Sequence, residues 1–137
     1  MLVNLDKKFH PIAGYAPLII RLTFGLHLIY YSGEEVLTLS AGESADFLAS
    51  LGIPFPVLMA WIYTLTEFIG GIFLIIGFKT RWIAIPLIIT FLVAAFIAHA
   101  GDHYEDSFQA LQMLAVSIYF LIRGAGKLSI DELLSKK

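Results

Sequence analysis

Residues 56–78 read PVLMAWIYTLTEFIGGIFLIIGF and contain one charged side chain, Glu67, in 23 positions. A bilayer core of about 30 Å is crossed by roughly 20 mostly apolar residues in an α-helix. The stretch therefore predicts a transmembrane helix. Because a charge at bilayer depth costs at least about 2.5 kcal/mol, we expect Glu67, near the middle of this helix, to face the interior of the protein.

Three other segments are apolar enough to cross the bilayer beside this helix. The predicted spans cover residues 16–32, 56–78, 82–99 and 107–122, and the last is the shortest. The tight turn Phe78-Lys79-Thr80-Arg81 makes the two central spans antiparallel neighbours. The sequence thus predicts an all-α fold, an integral membrane four-helix bundle in which residues 1–137 form a single domain.

Two short helices are predicted outside the spans. Ser40 and Glu43 have the spacing of a capping box, and an apolar stripe follows them before Gly52 ends the element. We expect this short interfacial helix, between spans 1 and 2, to lie along the outer membrane surface. Ser129 and Glu132 repeat the spacing and predict a small C-terminal helix.

The composition narrows the classes of function. The hydrophobic fraction of 58% and the mean hydropathy of +0.82 are high, since soluble chains are roughly 45–50% apolar. The net charge of −2 and the dispersed basic residues argue against a nucleic-acid partner and leave the lipid bilayer as the main one. Because the sequence has no cysteine, disulfide redox chemistry and iron–sulfur clusters are excluded. Any redox role would depend on a bound cofactor.

The positions of the basic residues predict the orientation. Eight of the nine lie in three segments that share one side of a four-span protein: Lys7, Lys8, Lys79, Arg81, Arg123, Lys127, Lys136 and Lys137. The two remaining loops contain no Lys or Arg. Because short cytoplasmic loops carry the excess of positive charge, both termini are predicted to be cytoplasmic.

Three ionisable residues, Arg21, His27 and Glu67, fall inside the predicted spans. Two interpretations of them remain open. In the structural one, Arg21 extends to the interface, His27 is a neutral core histidine and Glu67 is protonated or hydrogen-bonded. In the functional one, they line a polar pocket. Candidate residues for this pocket are Arg21, His27, Tyr63, Glu67, Gln112 and Tyr119, because Tyr63 shares the helical face of Glu67 and the last two are aligned on span 4.

A second group of polar residues lies near the outer ends of the spans: Glu34, Glu35, His99, Asp102 and His103. The spacing matches no defined metal motif, and acidic outer loops are expected from the charge asymmetry alone. We therefore predict no metal site here. Haem ligation by two histidines is not expected either, because His27 is central and His99 lies near the outer edge.

The chain resembles the DoxX family of small four-span bacterial membrane proteins. The resemblance is carried by Arg21-x-x-x-Gly25, Leu51-Gly52-Ile53-Pro54-Phe55-Pro56, Glu67-x-x-Gly70-Gly71 with Gly77 and Thr80-Arg81, His99, and Gly124-Ala125-Gly126-Lys127-Leu128-Ser129-Ile130-Asp131. At the end of span 1 the chain reads Gly33-Glu34-Glu35-Val36, where many members have a glycine and a lysine. The resemblance implies a multi-pass protein of the bacterial inner membrane.

Three hypotheses of function follow from the residues and the resemblance. In the first, the protein is a membrane subunit of a quinone-linked oxidoreductase system, with quinone as its cofactor and with partner subunits in a membrane complex. In the second, the pocket binds or transports a small amphiphile or lipid without chemistry. In the third, the protein is a non-catalytic membrane anchor or assembly factor whose buried polar groups only fix the helix register. A fold alone does not choose between them.

Overall fold

The computed structural model describes residues 7–101 and 103–136, and its regular structure there is entirely helical. The helices are α1 (Ala16–Thr38), α2 (Gly42–Ser50), α3 (Pro56–Ile76), α4 (Thr80–Val93), α5 (Tyr104–Arg123) and α6 (Ile130–Ser135). A 3₁₀ turn, Ala13–Tyr15, precedes α1, and the π-helical segment Ala94–Ala98 continues α4. The all-α prediction is confirmed.

Four long helices form the bundle, with α1 packed mainly against α3 and α4 mainly against α5. Phe24 is at the centre of the core, 6.2 Å from the ring of Phe91 and 6.3 Å from that of Phe120. Ala13–Thr38, Pro56–Ile76 and Thr80–Ala98 are long and apolar enough to cross a membrane, and Ser107–Arg123 is a shorter apolar helix. Many large apolar side chains point outward from these helices, as a lipid solvent permits.

Helices α1 and α3 cross at two glycines. A Cβ added to Gly25 would lie 2.7 Å from the carbonyl oxygen of Gly71, and a Cβ added to Gly71 would lie 2.7 Å from that of Gly25. Backbones approach this closely only where neither residue has a side chain, as is common between membrane helices. These glycines therefore have a packing role.

Helix α1 extends six residues beyond the predicted end of span 1. The predicted span ends at Ser32, shortly before two acidic residues. The structure continues the helix to Thr38, since the carboxylate of Glu35 accepts hydrogen bonds from the hydroxyls of Ser44 and Thr64. A charged residue at the end of a span is stable when such donors surround it.

The two predicted capping boxes differ in outcome. The one at Ser40 is wrong, because α2 begins at Gly42 without a side-chain cap and the N–H of Ser40 donates to the carbonyl of Glu35 at 3.0 Å. The C-terminal one is confirmed: the hydroxyl of Ser129 accepts from the N–H of Glu132 at 3.1 Å. The Glu132 carboxylate reaches back to the N–H of Leu128 at 2.9 Å.

Candidate functional site

Glu67 lies near the middle of α3, with 8% of its surface exposed. Its side chain borders two cavities, of about 370 and 310 Å³. Both are also lined by Tyr63, Ala94 and His99. Ligand pockets in proteins occupy about 300–1,000 Å³, so each cavity reaches the lower end of that range.

The larger cavity is bordered by α2, α3 and the end of α4, and its lining is mostly apolar. Phe47 and Leu48 of α2 cover it from one side, and Ile89 and Val93 of α4 form the opposite wall. The polar groups at its border are few, and Glu67 is one of them. Such a cavity suits a molecule with an apolar body and a small polar head.

The smaller cavity lies between α1, α3, α4 and α5 and has more polar groups. The amide Nε2 of Gln109 and the Nε2 of His27 are 3.0 Å apart. This contact joins the Gln109 side chain of α5 to the His27 imidazole of α1. The imidazole also lies 4.5 Å from the ring of Tyr31, measured between centroids. His27, Tyr31 and Gln109 all line the cavity, and these contacts hold the His27 ring in one orientation beside it.

A hydrogen-bonded cluster connects the end of α1 with α2 and α3. Its members are Glu35, Ser44 and Thr64, and the hydroxyls of Ser44 and Tyr63 are 3.2 Å apart. Through Tyr63 the cluster adjoins both cavities. The sequence analysis assigned Glu35 to the outer surface and missed that its carboxylate points into the bundle. The one sequence feature that could have indicated this is Thr64, a polar residue on the face of α3 that carries Glu67.

The carboxyl of Glu67 has no hydrogen-bond partner within residues 7–101 and 103–136, although it is largely buried. An unmet buried polar group costs about 1–3 kcal/mol. The side chain borders both cavities, where a bound molecule or water can satisfy the carboxyl. This distinguishes Glu67 from Glu35, whose two carboxylate oxygens both accept hydroxyl hydrogen bonds.

The structure places Arg21 away from the cavities. Its guanidinium is fully buried and donates to four carbonyl oxygens: Leu74 and Ile75 at 3.5 Å, Lys127 at 3.3 Å and Leu128 at 2.8 Å. Two of these acceptors are in the last turn of α3 and two in the segment before α6. Arg21 thus joins the C-terminal segment to the bundle.

The other predicted pocket residues are divided between the cavities and the rest of the bundle. His27, Tyr63 and Glu67 line the cavities. Gln112 is exposed on α5 and Tyr119 packs against the ring of Phe120 at 5.2 Å, and neither lines them.

The described members of the predicted outer group lie in different surroundings. Glu34 and His103 are exposed, His99 borders both cavities, and Asp102 lies outside the described residues. Among the residues that the structure describes, no three His, Asp or Glu side chains are arranged to hold a metal ion.

Comparisons with known proteins agree with this architecture. The family model named DoxX matches residues 16–100, from the start of α1 to just beyond the π-helical segment. The inner membrane protein YphA of Escherichia coli (strain K12) is 26% identical over 123 residues, covering 83% of this chain and 86% of that protein. No solved structure matches significantly.

Proposed function

We propose that this chain, which belongs to the DoxX family of membrane proteins, binds a small amphiphilic molecule in the cavities beside Glu67. The observation that carries the proposal is a carboxyl without a hydrogen-bond partner among the described residues, bordering cavities of about 370 and 310 Å³. The polar head of the ligand would hydrogen-bond to Glu67. The apolar lining beside α2 would receive its tail.

The arrangement favours binding over a purely structural role. A network that only fixes helix register is expected to satisfy its own members and to fill the space between helices, because unmet polar groups and voids both cost stability. Glu35 meets that expectation and Glu67 does not. The non-catalytic anchor therefore remains the less supported alternative.

A quinone is one molecule of the proposed class. Its carbonyl oxygens would accept a hydrogen bond from a protonated Glu67, and its reduction to a quinol requires two protons and two electrons. Glu67 and the cluster around Glu35 would hold protons near the head group. Electrons would come from partner subunits, so the oxidoreductase hypothesis is the redox form of the same proposal. Binding or transport of a lipid without chemistry uses the same contacts.

The Glu67→Gln variant tests the proposal. Glutamine keeps the shape of the side chain but cannot carry a negative charge, and a hydrogen bond to a charged group is worth about 1.5–3 kcal/mol, against about 0.5–1.5 kcal/mol for a neutral one. We expect the reduced form of a decyl-substituted benzoquinone, whose hydroxyl would donate to the Glu67 carboxylate, to bind about tenfold more weakly to the variant in a nanodisc titration. The matched control is Glu34→Gln on exposed α1 surface, which should leave binding unchanged. Equal affinities for Glu67→Gln and the parent protein, with only a changed Tm, would make Glu67 structural.

We also propose that the protein lies in the bacterial inner membrane with both termini in the cytoplasm. The support is the distribution of the basic residues along the sequence, since eight of the nine are in the three segments that a four-span topology puts on one side. Because the chain has no cysteine, single substitutions give one labelling site each. An impermeant thiol reagent added outside should label Glu43→Cys and His103→Cys in intact cells but not Lys79→Cys. The reverse pattern would invert the topology.

A further inference from the structure

A third cavity, of about 530 Å³, opens at the basic end of the bundle. It is a crevice between the α3–α4 turn and the C-terminal segment that leads into α6. Three basic residues from different elements border it: Lys79 in the turn, Arg81 at the start of α4 and Arg123 at the end of α5. Cations that are distant in sequence are thus gathered around one concave surface.

The three cations are available to a ligand. Within the part of the chain that the structure describes, none of them forms an ion pair. Lys79 lies 5.6 Å from the centre of the Phe78 ring, and the guanidinium of Arg81 donates one hydrogen bond to the carbonyl of Ile122 at 3.2 Å. An arginine has five N–H donors, so most of those of Arg81 remain free.

The acidic residues of the crevice are already engaged. Asp131 accepts hydrogen bonds from the backbone N–H of Lys79 at 2.7 Å and from that of Thr80 at 2.9 Å. The hydrogen bonds from Lys136 and from the N–H of Leu128 lower the pKa of Glu132, which also pairs with Lys136 at 3.0 Å. These carboxylates therefore hold the crevice together, and the exposed cations are left to attract an anion.

The crevice is placed where lipid head groups lie. Trp82 borders it and is 73% exposed, and it is the third residue of α4. Tryptophan is enriched at the level of the head groups, where its ring is partly in hydrocarbon and its N–H reaches polar groups. Basic pockets at such a level bind anionic lipid head groups.

We infer that the crevice formed by Lys79, Arg81, Trp82 and Arg123 binds the phosphate group of an anionic phospholipid. Each arginine would donate a pair of N–H hydrogen bonds to the phosphate oxygens. The planar guanidinium group matches phosphate geometry in this way, whereas the ammonium group of a lysine does not. The acyl chains would lie along the outer surface of α4 beside Trp82.

Native mass spectrometry in detergent tests the inference, with phosphatidylglycerol and phosphatidylcholine of identical acyl chains as the probes. The parent protein should retain phosphatidylglycerol preferentially. Each basic side chain near the head group contributes about fivefold in affinity, so Arg81→Gln/Arg123→Gln should lose roughly 25-fold of this preference. The control, Lys7→Gln/Lys8→Gln, also removes two positive charges, but from exposed positions outside the crevice. It should keep the preference for phosphatidylglycerol.

Three outcomes would overturn the inference, and the first two concern the mass-spectrometry experiment. One is an equal loss of the preference for phosphatidylglycerol in both double variants, because the preference would then depend on the net charge of the protein and not on the crevice. The other is displacement of the lipid by millimolar glycerol phosphate, which would make a soluble phosphate compound the ligand. A second readout does not depend on the double variant. Replacing Trp61 with Phe leaves Trp82 as the only tryptophan. In this protein, phosphatidylglycerol brominated in its acyl chains should quench the fluorescence of Trp82 more strongly than brominated phosphatidylcholine does. Equal quenching by the two lipids also contradicts the inference.

Discussion

Replacing Arg21 with methionine will detach the C-terminal segment from the bundle. The substitution preserves much of the side-chain volume but removes the donors that reach the carbonyls of Lys127 and Leu128, and each buried acceptor left unmet costs about 1–3 kcal/mol. We expect a loss of about 3 kcal/mol or more in the free energy of unfolding and a fall of about 10 °C in Tm. Limited proteolysis should then cleave after Lys127 at low protease concentration.

Arg123→Met is the matched control, since it removes an exposed arginine from the end of α5. It should change Tm by no more than about 2 °C. An Arg21→Lys variant should recover only part of the loss, because one ammonium group cannot serve acceptors on both α3 and the C-terminal segment. An Arg21→Met protein as stable and as protease-resistant as the parent would contradict this account of Arg21.

Alanine at position 71 will force α1 and α3 apart. Its Cβ would lie 2.7 Å from the carbonyl oxygen of Gly25 and 2.8 Å from Cγ1 of Ile29. The first contact is with backbone, so it is relieved only by moving a helix, and overpacking of this kind costs about 1–3 kcal/mol. We expect Gly71→Ala to lower the free energy of unfolding by about 2 kcal/mol, measured in detergent by chemical denaturation.

Gly33→Ala is the control for this prediction. It makes the same substitution in a buried position of α1, where the nearest atom to the added Cβ is Cε2 of Phe68 at 3.9 Å. Alanine is favoured over glycine in a helix by about 1 kcal/mol, so this variant should be as stable as the parent or more so. Similar stabilities for the two alanine variants would show that the Gly25–Gly71 crossing is not closely packed.

The bundle could be predicted from the sequence because its signals are local. Apolar length, the tight turn around Lys79 and the spacing of Ser129 and Glu132 each depend on neighbouring residues. The extension of α1 to Thr38 could not be predicted in the same way. It depends on Ser44 and Thr64, which are distant in sequence and provide hydrogen bonds to Glu35 only after the helices pack.

The candidate site was predicted in part for the same reason. The depths of His27 and Glu67 follow from their positions along the spans, and both line a cavity. Arg21 was equally compatible with Glu67 or the interface. Its acceptors are backbone carbonyls between 53 and 107 residues away, which no side-chain pattern reveals. The π-helical turn beside the cavities gave no signal either, since AAFIA also suits an α-helix. Such turns are frequent at functional sites.

The density beside Glu67, in an experimental structure of protein extracted with its native lipids, tests the central claim most directly. We predict an elongated feature in the two cavities, with its polar end within hydrogen-bonding distance of the Glu67 carboxyl and its tail against Phe47 and Leu48. The feature should weaken in Glu67→Gln and persist in Glu34→Gln. Cavities that hold only one or two waters, or that are closed by neighbouring side chains, would contradict the claim.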